Sequence, residues 1–295
     1  MTSVRVESFR PQARPARRLA RALGAPFAPI CVHRFPDGEI MPVSQAAADV
    51  VILYCSLDHP NEKLIALLLA ADGLRRAGAK RIVLVAPYLC YMRQDAVFAE
   101  REPLSRDVIC GLLGDTFDRV VTVDAHLHRT KNLSAAFGGI EADNLSAAGV
   151  LAEALAGPPN PIVVGPDTES EPWVRAAAER LGAEVLLFRK TRRGDADVAL
   201  TAPDLVQAAG RPVFIVDDIC SSGATLTAVA AAMRAAGAAS IDVGVVHAIF
   251  GRPTEARLRQ AGVGRIVSSD AVPHHTNRAP LAALLGAALR DEITP

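Results

Sequence analysis

Three kinds of feature are scarce in this sequence, and each scarcity argues against a class of partner. No apolar run approaches the roughly 18 to 20 residues that a membrane-spanning helix needs. Lys and Arg together number 32, as do Asp and Glu, so no global positive field attracts nucleic acid. Aromatic residues form only 4% of the chain, too few to suggest a base-stacking platform. We therefore expect neither a membrane nor a nucleic acid as a partner.

The chain also lacks paired cysteines. Five cysteines stand singly, at positions 31, 55, 90, 110 and 220, and none belongs to a C-x-x-C pair. Isolated cysteines predict neither a zinc site nor a disulfide framework. We interpret them as reduced thiols, and we expect a cytoplasmic protein.

The opening segment is rich in Arg and poor in acidic residues, a composition that is also typical of organelle transit peptides. Alternatively, this segment is the first element of a domain, with Arg17–Leu23 forming a short helix that runs into the first strand. We favour the second interpretation.

Strand-like and helix-like segments alternate along almost the whole chain. The strand-like runs are rich in Val and Ile and lack clean alternation, as expected for parallel strands buried on both faces. They are Val50–Tyr54, Arg81–Ala86, Val120–Val123, Ile162–Val164, Glu184–Phe188, Val213–Val216 and Ile241–Ala248. The segments with helical spacing are Asn61–Ala77, Ser105–Gly114, Glu171–Leu181 and Thr225–Ala236. This alternation predicts an open, parallel α/β sheet.

The length of 295 residues suits two ordinary domains. The run Ala156–Pro161, which contains Gly and three Pro, is the strongest interruption in the chain, and we expect it to enter the first strand of a second domain. We place the boundary slightly earlier, so that the domains are residues 1–144 and 145–295, and we expect the last residues to pack back on the N-terminal domain. A weak similarity between Gly78–Tyr88 and Gly237–Phe250 hints at duplicated domains.

A phosphate loop is predicted where the sequence reads VDDICSSGATL, at Val216–Leu226. Ligands bind outside the carboxyl ends of strands in open α/β sheets. A Ser-Ser-Gly-Ala-Thr turn that opens a helix supplies N–H groups and hydroxyls to a phosphate, and Gly223 lets the backbone approach the anion. The adjacent carboxylates of Asp217 and Asp218 suit the vicinal hydroxyls of a ribose. The alternative is that one of them only caps the helix.

This segment resembles the 5-phosphoribosyl diphosphate loop of type I phosphoribosyltransferases. The chain from about Arg34 to His274 further resembles, motif by motif and in the same order, the ribose-phosphate diphosphokinases of that superfamily. The resemblance implies two tandem phosphoribosyltransferase-like domains, each with a mainly parallel central sheet flanked by helices. It assigns the binding of ribose 5-phosphate to Asp217, Asp218, Ser221, Ser222, Gly223, Ala224 and Thr225.

Arg34–Glu39 looks like the adenine-recognition loop of the family, which reaches into the site of a neighbouring subunit. Phe35 offers a ring face to a base, while Asp37 and Glu39 can accept hydrogen bonds from an exocyclic amine. The alternative is a simple Asp-Gly turn.

Pro87–Asp95 is similar to the family's ATP-binding loop. Arg93 can clamp phosphate oxygens with its planar fork, Gln94 can hydrogen-bond the nucleotide, and Asp95 closes the motif. The alternative is a solvated polar loop after a strand.

The resemblance also implies metal-binding and charge-stabilising residues. His126 and Asp167 correspond to residues that hold Mg²⁺, and His126 is also a candidate for catalysis. Lys190 and Arg192 match the mobile basic pair of the catalytic loop, which stabilises charge in a loose phosphoryl transition state.

Two departures from the family pattern stand out. Glu169 and Ser170 occupy the positions of a Gly-Gly pair whose backbone wraps the diphosphate, so a carboxylate stands where an anion should approach. Either Glu169 points away, or it binds through a cation, or the donor differs. Ser221 replaces a common Asp.

The implied reaction is the transfer of a diphosphoryl group from MgATP to the 1-hydroxyl of ribose 5-phosphate, with release of AMP. Three alternatives stay open: a phosphoribosyltransferase, a non-catalytic regulatory paralogue, and a diphosphokinase for another sugar phosphate. The family also implies a homo-oligomer, at least a dimer, with a tetramer or a hexamer as larger candidates.

Overall fold

The computed structural model describes residues 3–44, 48–97, 99–127, 132–192, 198–201 and 204–293; for residues 190–192 and 198–201 it describes the backbone only. The chain divides into two compact units. The first unit combines Met1–Leu145 with Leu281–Pro295, and the second is Ser146–Pro280.

The first unit is built on a seven-stranded sheet of the order β3-β2-β1-β4-β5-β6-β7. Its strands are β1 (Val4–Phe9), β2 (Phe27–Arg34), β3 (Ile40–Val43), β4 (Val50–Tyr54), β5 (Arg81–Ala86), β6 (Arg119–Val123) and β7 (Glu141–Leu145). Its helices in this part of the chain are α1 (Ala13–Leu23), α2 (Pro60–Arg76), α3 (Ser105–Gly114) and α4 (Leu133–Ala136). All neighbouring strands are parallel except β2 and β3, which form an antiparallel hairpin.

The second unit contains a six-stranded parallel sheet of the order β15-β14-β13-β12-β8-β9, and a separate antiparallel pair of β10 with β11. The strands are β8 (Ile162–Gly165), β9 (Glu184–Leu187), β10 (Arg189–Arg192), β11 (Val198–Thr201), β12 (Pro212–Cys220), β13 (Ser240–Ala248), β14 (Ile266–Ser269) and β15 (Asn277–Ala279). The helices are α5 (Ala148–Leu155), α6 (Glu171–Leu181), α7 (Ala224–Ala235) and α8 (Arg252–Gln260).

The sheets carry the cores of both units. Every residue of β4 and β6 is buried, and so are the four residues of β8. Strands of this kind have apolar side chains on both faces because helices cover both sides of a parallel sheet. The Val- and Ile-rich runs therefore form the interior and leave chemistry to the loops at the strand ends.

The last part of the chain returns to the first unit. Helix α9 (Ala282–Ala288) lies against α1 so closely that a Cβ on Gly286 would stand 3.1 Å from the Cβ of Ala22. The next turn carries Glu292, whose carboxylate is 5% exposed and pairs with Arg119 at 2.9 Å and with Arg81 at 2.8 Å. Arg119 also bonds Asp291 at 2.8 Å. This ion-pair network fastens the C-terminal segment to the edge where β5 and β6 begin.

The prediction for the opening segment was wrong in one respect. Before the helix comes a further strand, β1, which lies in the middle of the first sheet between β2 and β4. Its apolar residues alternate with Arg5 and Glu7, so it lacks the continuous apolar character that marks the other central strands. The described part of the Arg-rich segment is thus β1 and α1 of the first unit.

Among the described residues, no helix combines the length and the apolar character that crossing a membrane requires.

Glu7 is fully buried in β1, and this burial provides a test of the core. Its Oε1 accepts a hydrogen bond from Ser44 Oγ at 2.8 Å, while its Oε2 has no partner among the described residues. Burial raises the pKa of Glu7 above its ordinary value. The folded chain therefore holds the proton more tightly than the unfolded chain. Stability is greatest below the ordinary pKa and falls as pH rises towards the folded-state pKa.

We expect Glu7→Gln to remove this pH dependence, because an amide carries no charge at any of these pH values. The melting temperature of the variant relative to the wild type should rise between pH 5 and pH 8, measured by differential scanning fluorimetry. Glu62→Gln, which alters an exposed carboxylate of α2, is the matched control and should show no such trend. A constant difference across this range would contradict the assignment.

Candidate functional site

The second sheet has a topological switch point between β8 and β12. From β8 the chain proceeds outward to β9 on one side, while β12 and β13 follow on the other side. The carboxyl ends of two such strands border the crevice in which open α/β sheets bind ligands. Residues 166–170 follow β8, and residues 217–225 span the end of β12 and the start of α7. The topology thus brings together two segments that the sequence placed about 50 residues apart.

Asp217 and Asp218 lie near the carboxyl end of β12. The strand runs on to Cys220, with Asp217 opposite Val245 of β13, so the two aspartates are inside the strand and not after it. Asp218 is buried, with 5% of its surface exposed, whereas Asp217 is half-buried. The backbone N–H of Asp218 donates to Asp217 Oδ1 at 3.1 Å. Pairing with β13 holds both carboxylates in a defined register.

Electrostatics distinguish Asp217 within this site. Burial, followed by the negative charges of Asp218 and Asp167, raises the pKa of Asp217 well above its ordinary value. The negative charges of Asp218 and Asp167 therefore both act on Asp217, and the three carboxylates form an acidic group at the ends of two adjacent strands. Such a group gains stability from hydroxyl donors or from a cation, and phosphate would be repelled from it.

The phosphate loop has the geometry of an anion site. Gly223 takes a φ of +69° and is the N-cap of α7, whose helical N-terminus presents N–H groups of the kind that bind phosphate. A side chain at this position is excluded, because a Cβ on Gly223 would stand 2.5 Å from Thr254 Cγ2. Ser221 and Ser222 are exposed, and Thr225 is half-buried. The structure therefore gathers the predicted sugar-phosphate residues at one end of the sheet.

Two residues at this loop escaped the sequence interpretation. Thr254 and Arg257 of α8 both donate to the carbonyl oxygen of Ser222, at 3.2 and 2.8 Å. Pro253 in the first turn could have indicated the start of α8. Nothing local in the sequence indicates which loop the helix touches, because the contact spans more than 30 residues.

The loop after β8 is closed on itself. Asp167 Oδ1 accepts hydrogen bonds from the backbone N–H groups of Glu169 and Ser170, both at 3.1 Å. The Ser170 hydroxyl donates to the Asp167 carbonyl oxygen at 2.6 Å, and Ser170 is 1% exposed. A Cβ on Gly165 would stand 2.5 Å from this hydroxyl, so the Ser170 side chain faces the interior. Of the two departures from Gly-Gly, only Glu169 is on the exposed side.

Lys190 and Arg192, the predicted basic pair, lie on β10, which pairs with β11 in an antiparallel ribbon. Their side chains fall outside the described part of the structure. Their assigned role stays a prediction.

The predicted adenine loop connects β2 and β3 as a hairpin. The N–H of Phe35 donates to the Glu39 carbonyl at 2.8 Å, and Gly38 takes a φ of +95°. Asp37 Oδ1 accepts from the Glu39 N–H at 3.1 Å, so this carboxylate also shapes the turn. The ring of Phe35 is 39% exposed and stands edge-on to His33, with centroids 4.6 Å apart. The hairpin thus presents an accessible aromatic face at its tip.

The predicted ATP-binding loop follows β5. Tyr91 has a φ of +63°, which is uncommon for a residue other than Gly, and its hydroxyl donates to Asn61 Oδ1 at 2.7 Å. Arg93 and Gln94 are exposed and Asp95 is half-buried. The Arg106 N–H donates to the Gln94 carbonyl at 3.3 Å, which joins the loop to the start of α3. Arg93 and Gln94 are therefore accessible to a ligand of the first unit.

His126 lies just beyond β6 and is half-buried. The chain turns sharply before it, because Asp124 is buried and takes a φ of +39°. The N–H of Asp124 donates to the Leu145 carbonyl, and the N–H of Ala125 donates to Asn144 Oδ1, both at 2.8 Å. Backbone held in such sparsely populated conformations is concentrated at functional sites.

The donor chemistry of the second unit fits Mg²⁺. Carboxylate oxygens are the ligands this ion prefers, and protein sites commonly supply only one or two of them, with substrate phosphates and water completing the shell. Among the described residues, no three His, Cys, Asp or Glu side chains form a metal-binding cluster by themselves. A cation beside Asp217 would offset the negative charges of Asp218 and Asp167 that act on it.

Comparisons with known proteins cover both units. A family model described as the N-terminal domain of ribose phosphate pyrophosphokinase matches residues 6–116, and a model of the phosphoribosyl transferase domain matches residues 144–276. A ribose-phosphate pyrophosphokinase 2 from Archaeoglobus fulgidus is 34% identical over 270 residues, which are 92% of this chain and 94% of that protein. A ribose-phosphate pyrophosphokinase from Methanopyrus kandleri is 31% identical over 280 residues, which are 93% of this chain and 94% of that protein.

The crystal structure of the phosphoribosylpyrophosphate synthetase from Mycobacterium smegmatis has a similar fold. It matches with a TM-score of 0.79 and 24% sequence identity, and the match covers 98% of both chains. The predicted α/β fold, with two tandem domains that each contain a mainly parallel sheet, is confirmed.

Proposed function

Since the chain belongs to the ribose-phosphate pyrophosphokinase family and is an enzyme of that family, we propose that it transfers the diphosphoryl group of MgATP to the 1-hydroxyl of ribose 5-phosphate. The products would be 5-phosphoribosyl 1-diphosphate and AMP. One observation carries the proposal: the Asp217–Asp218 pair, of which Asp218 is buried, lies near the end of β12 and is followed by a glycine-capped helix N-terminus at a topological switch point.

Ribose 5-phosphate is assigned to the second unit. Its phosphate would lie on Ser221–Thr225, where the helix N-terminus favours an anion. Its 2- and 3-hydroxyls would donate to Asp217 and Asp218, and the burial of Asp218 makes its hydrogen bond stronger than it is in water. Electrostatics separate the binding of the phosphate from the binding of the hydroxyls, because the carboxylates repel the phosphate and accept hydrogen bonds from the hydroxyls.

ATP is assigned to the first unit. Arg93 would clamp phosphate oxygens, Gln94 and Asp95 would complete that loop, and the exposed ring of Phe35 would stack on the adenine. Asp37 and Glu39 would accept from its exocyclic amine, although Asp37 already bonds the turn.

The chemistry requires placement and charge neutralisation, without a covalent intermediate. The 1-hydroxyl oxygen would attack the β-phosphorus and lose its proton to solvent, as the bond from this phosphorus to the oxygen of the α-phosphate breaks, and AMP would leave with that oxygen. Lys190 and Arg192 would neutralise charge that develops on the transferred group. Bound Mg²⁺ would neutralise phosphate charge, and His126 and Asp167 are the residues assigned to hold it, together with the phosphates.

The test is an assay of AMP release by the purified chain with ATP, Mg²⁺ and ribose 5-phosphate. AMP should form only when all three are present, together with a product that a phosphoribosyltransferase consumes. AMP formation that does not depend on ribose 5-phosphate, or no AMP at all from folded protein, would contradict the proposal.

Glu169 offers a separate prediction about the diphosphate loop. Removal of one charge about 4 Å from an anion in water is worth about 1 kcal/mol, or about fivefold in affinity. We therefore expect Glu169→Gln to lower the KM for MgATP by about fivefold or less. Glu179→Gln, in helix α6, which follows this loop, is the control and should leave the KM unchanged. A higher KM in Glu169→Gln would show instead that Glu169 binds through a cation.

The assembly is proposed to be a homo-oligomer, at least a dimer, in which the β2–β3 hairpin serves a neighbouring subunit. Large apolar side chains are exposed on the hairpin at Val32, Met41 and Val43, and on α2 at Ile65 and Leu69. A groove of about 910 Å³ lies between these elements. Burial of such a surface would favour self-association, and light scattering coupled to size-exclusion chromatography measures it. We also propose a cytoplasmic location and a domain boundary between residues 144 and 145, with ATP binding assigned to the first domain and ribose 5-phosphate binding to the second.

A further inference from the structure

The turn at Ser222 is held from outside the loop by helix α8. The Ser222 carbonyl oxygen accepts hydrogen bonds from Arg257 Nη2 at 2.8 Å and from Thr254 Oγ1 at 3.2 Å. Arg257 Nη2 also donates to Thr254 Oγ1 at 2.9 Å, so the three groups form a closed triangle. None of the functions assigned above uses either side chain.

Fixing this carbonyl has a geometric consequence for the next amide. The peptide group is planar, and in its trans form the C=O and the following N–H point in opposite directions. Because the Ser222 carbonyl points at α8, the Gly223 N–H points away from α8. Gly223 is the N-cap, and its own carbonyl accepts from the Thr227 N–H at 2.9 Å and from the Thr227 hydroxyl at 2.8 Å. Both peptide planes that flank Gly223 are thereby set.

Steric contact supplies the second half of the device. Thr254 is buried, and its methyl group occupies the space where a side chain on Gly223 would stand, 2.5 Å from an ideal Cβ. Gly223 therefore packs directly on α8 and cannot shift towards it. The hydroxyl of Thr254 donates to the Ser222 carbonyl oxygen, and its methyl group limits how closely the backbone of Gly223 approaches α8.

We propose that Thr254 and Arg257 are positioning residues that hold the phosphate loop in its anion-binding conformation. They act through the Ser222 carbonyl and need not touch the substrate. The inference rests on the proposed function for the identity of the ligand, ribose 5-phosphate, and on the structure alone for the positioning of the loop amides.

The variants for the test are Arg257→Ala, Arg257→Lys, Thr254→Val and Thr254→Ser in the full chain. Valine keeps the shape of threonine without its hydroxyl, and serine keeps the hydroxyl without the methyl group. Arg234→Ala is the matched control, because Arg234 also donates from a helix to a backbone carbonyl, that of Gln260 at 3.2 Å, but at the far end of α7. Circular dichroism verifies that each variant is folded.

The first measurement needs no ligand. Loss of a charge-assisted hydrogen bond changes a local equilibrium by about tenfold or more, so amide hydrogen exchange in residues 221–226 should accelerate by about that factor in Arg257→Ala. Thr254→Val should act in the same direction, Arg257→Lys should be intermediate, and Arg234→Ala should leave this segment unchanged. Unchanged exchange in both Arg257→Ala and Thr254→Val would overturn the inference.

The second measurement connects the loop to the substrate. Titration calorimetry should show ribose 5-phosphate binding about tenfold more weakly to Arg257→Ala, and the KM for ribose 5-phosphate should rise while the KM for ATP stays the same. Equal rises in both KM values would indicate a general structural role and overturn the inference. If the wild type fails to bind ribose 5-phosphate while the exchange result holds, the proposed function falls and the positioning role stands.

Discussion

Asp218→Asn combined with Lys190→Ala is expected to lower kcat/KM for ribose 5-phosphate, measured by AMP release, at least about 1000-fold. Loss of a hydrogen bond between a hydroxyl and a buried carboxylate is worth about 1.5–3 kcal/mol, or about 10- to 150-fold. Loss of a charge that stabilises the transition state is worth about 100- to 1000-fold. The two changes act on different groups of the reaction, so their effects should multiply.

The single variants separate the two roles. Asp218→Asn should chiefly raise the KM for ribose 5-phosphate, because asparagine keeps the shape of the side chain but not its charge. Lys190→Ala should chiefly lower kcat. Glu179→Gln is the control for a carboxylate of the same unit changed to an amide, and it should retain full activity. AMP release within tenfold of the wild-type rate in the double variant would remove the site assignment.

Arg119→Met is expected to destabilise the first unit by about 3–5 kcal/mol, which is the usual effect of breaking a buried ion pair from one side. The Arg119 side chain is 8% exposed and bonds Asp143, Asp291 and Glu292, as well as the Ala288 carbonyl at 3.0 Å. Removal of the guanidinium leaves the Glu292 carboxylate, 5% exposed, with Arg81 as its remaining cationic partner among the described residues. A chain of this size should lose about 6–20 °C in melting temperature.

Arg76→Met supplies the control for this second prediction. Arg76 forms an exposed pair with Asp72 of the same helix at 2.7 Å, and such pairs contribute about 0.5 kcal/mol or less. The double variant Arg119→Met with Glu292→Leu should be more stable than Arg119→Met alone, because it no longer buries a carboxylate that has lost one of its two cationic partners. If the melting temperature of Arg119→Met lies within about 2 °C of the wild-type value by differential scanning fluorimetry, the network does not anchor the segment.

The sequence predicted the central strands and long helices closely because their patterns are local. β4, β5, α3 and α6 begin and end at the predicted residues. The end of β12 was placed too early: aspartates are rare in strands, but pairing with β13 carries the strand through both of them. The central strand β1 was not predicted, because its polar residues are atypical of a buried strand. Burial of Glu7 depends on a hydrogen bond from elsewhere in the fold, which the local sequence does not indicate.

The predicted family is confirmed by the comparisons, and the roles of the individual residues stay predictions. Motifs at strand ends could be found in sequence because chemistry at the carboxyl edge of a parallel sheet follows directly after apolar runs. Contacts between distant segments could not. Examples are the hold of Arg257 on Ser222 and the inward-facing hydroxyl of Ser170, which turns an apparent obstruction into part of the loop's own support.

The return of residues 281–295 to the first unit bears on how the chain folds as it is synthesised. The second unit is an insertion within the first, and all of its residues leave the ribosome before α9 does. It can therefore complete its core while the first unit still lacks α9 and the carboxylates that pair with Arg119 and Arg81. The unit made first is the one finished last, and loss of a few C-terminal residues would damage the half of the protein that is farthest away in sequence.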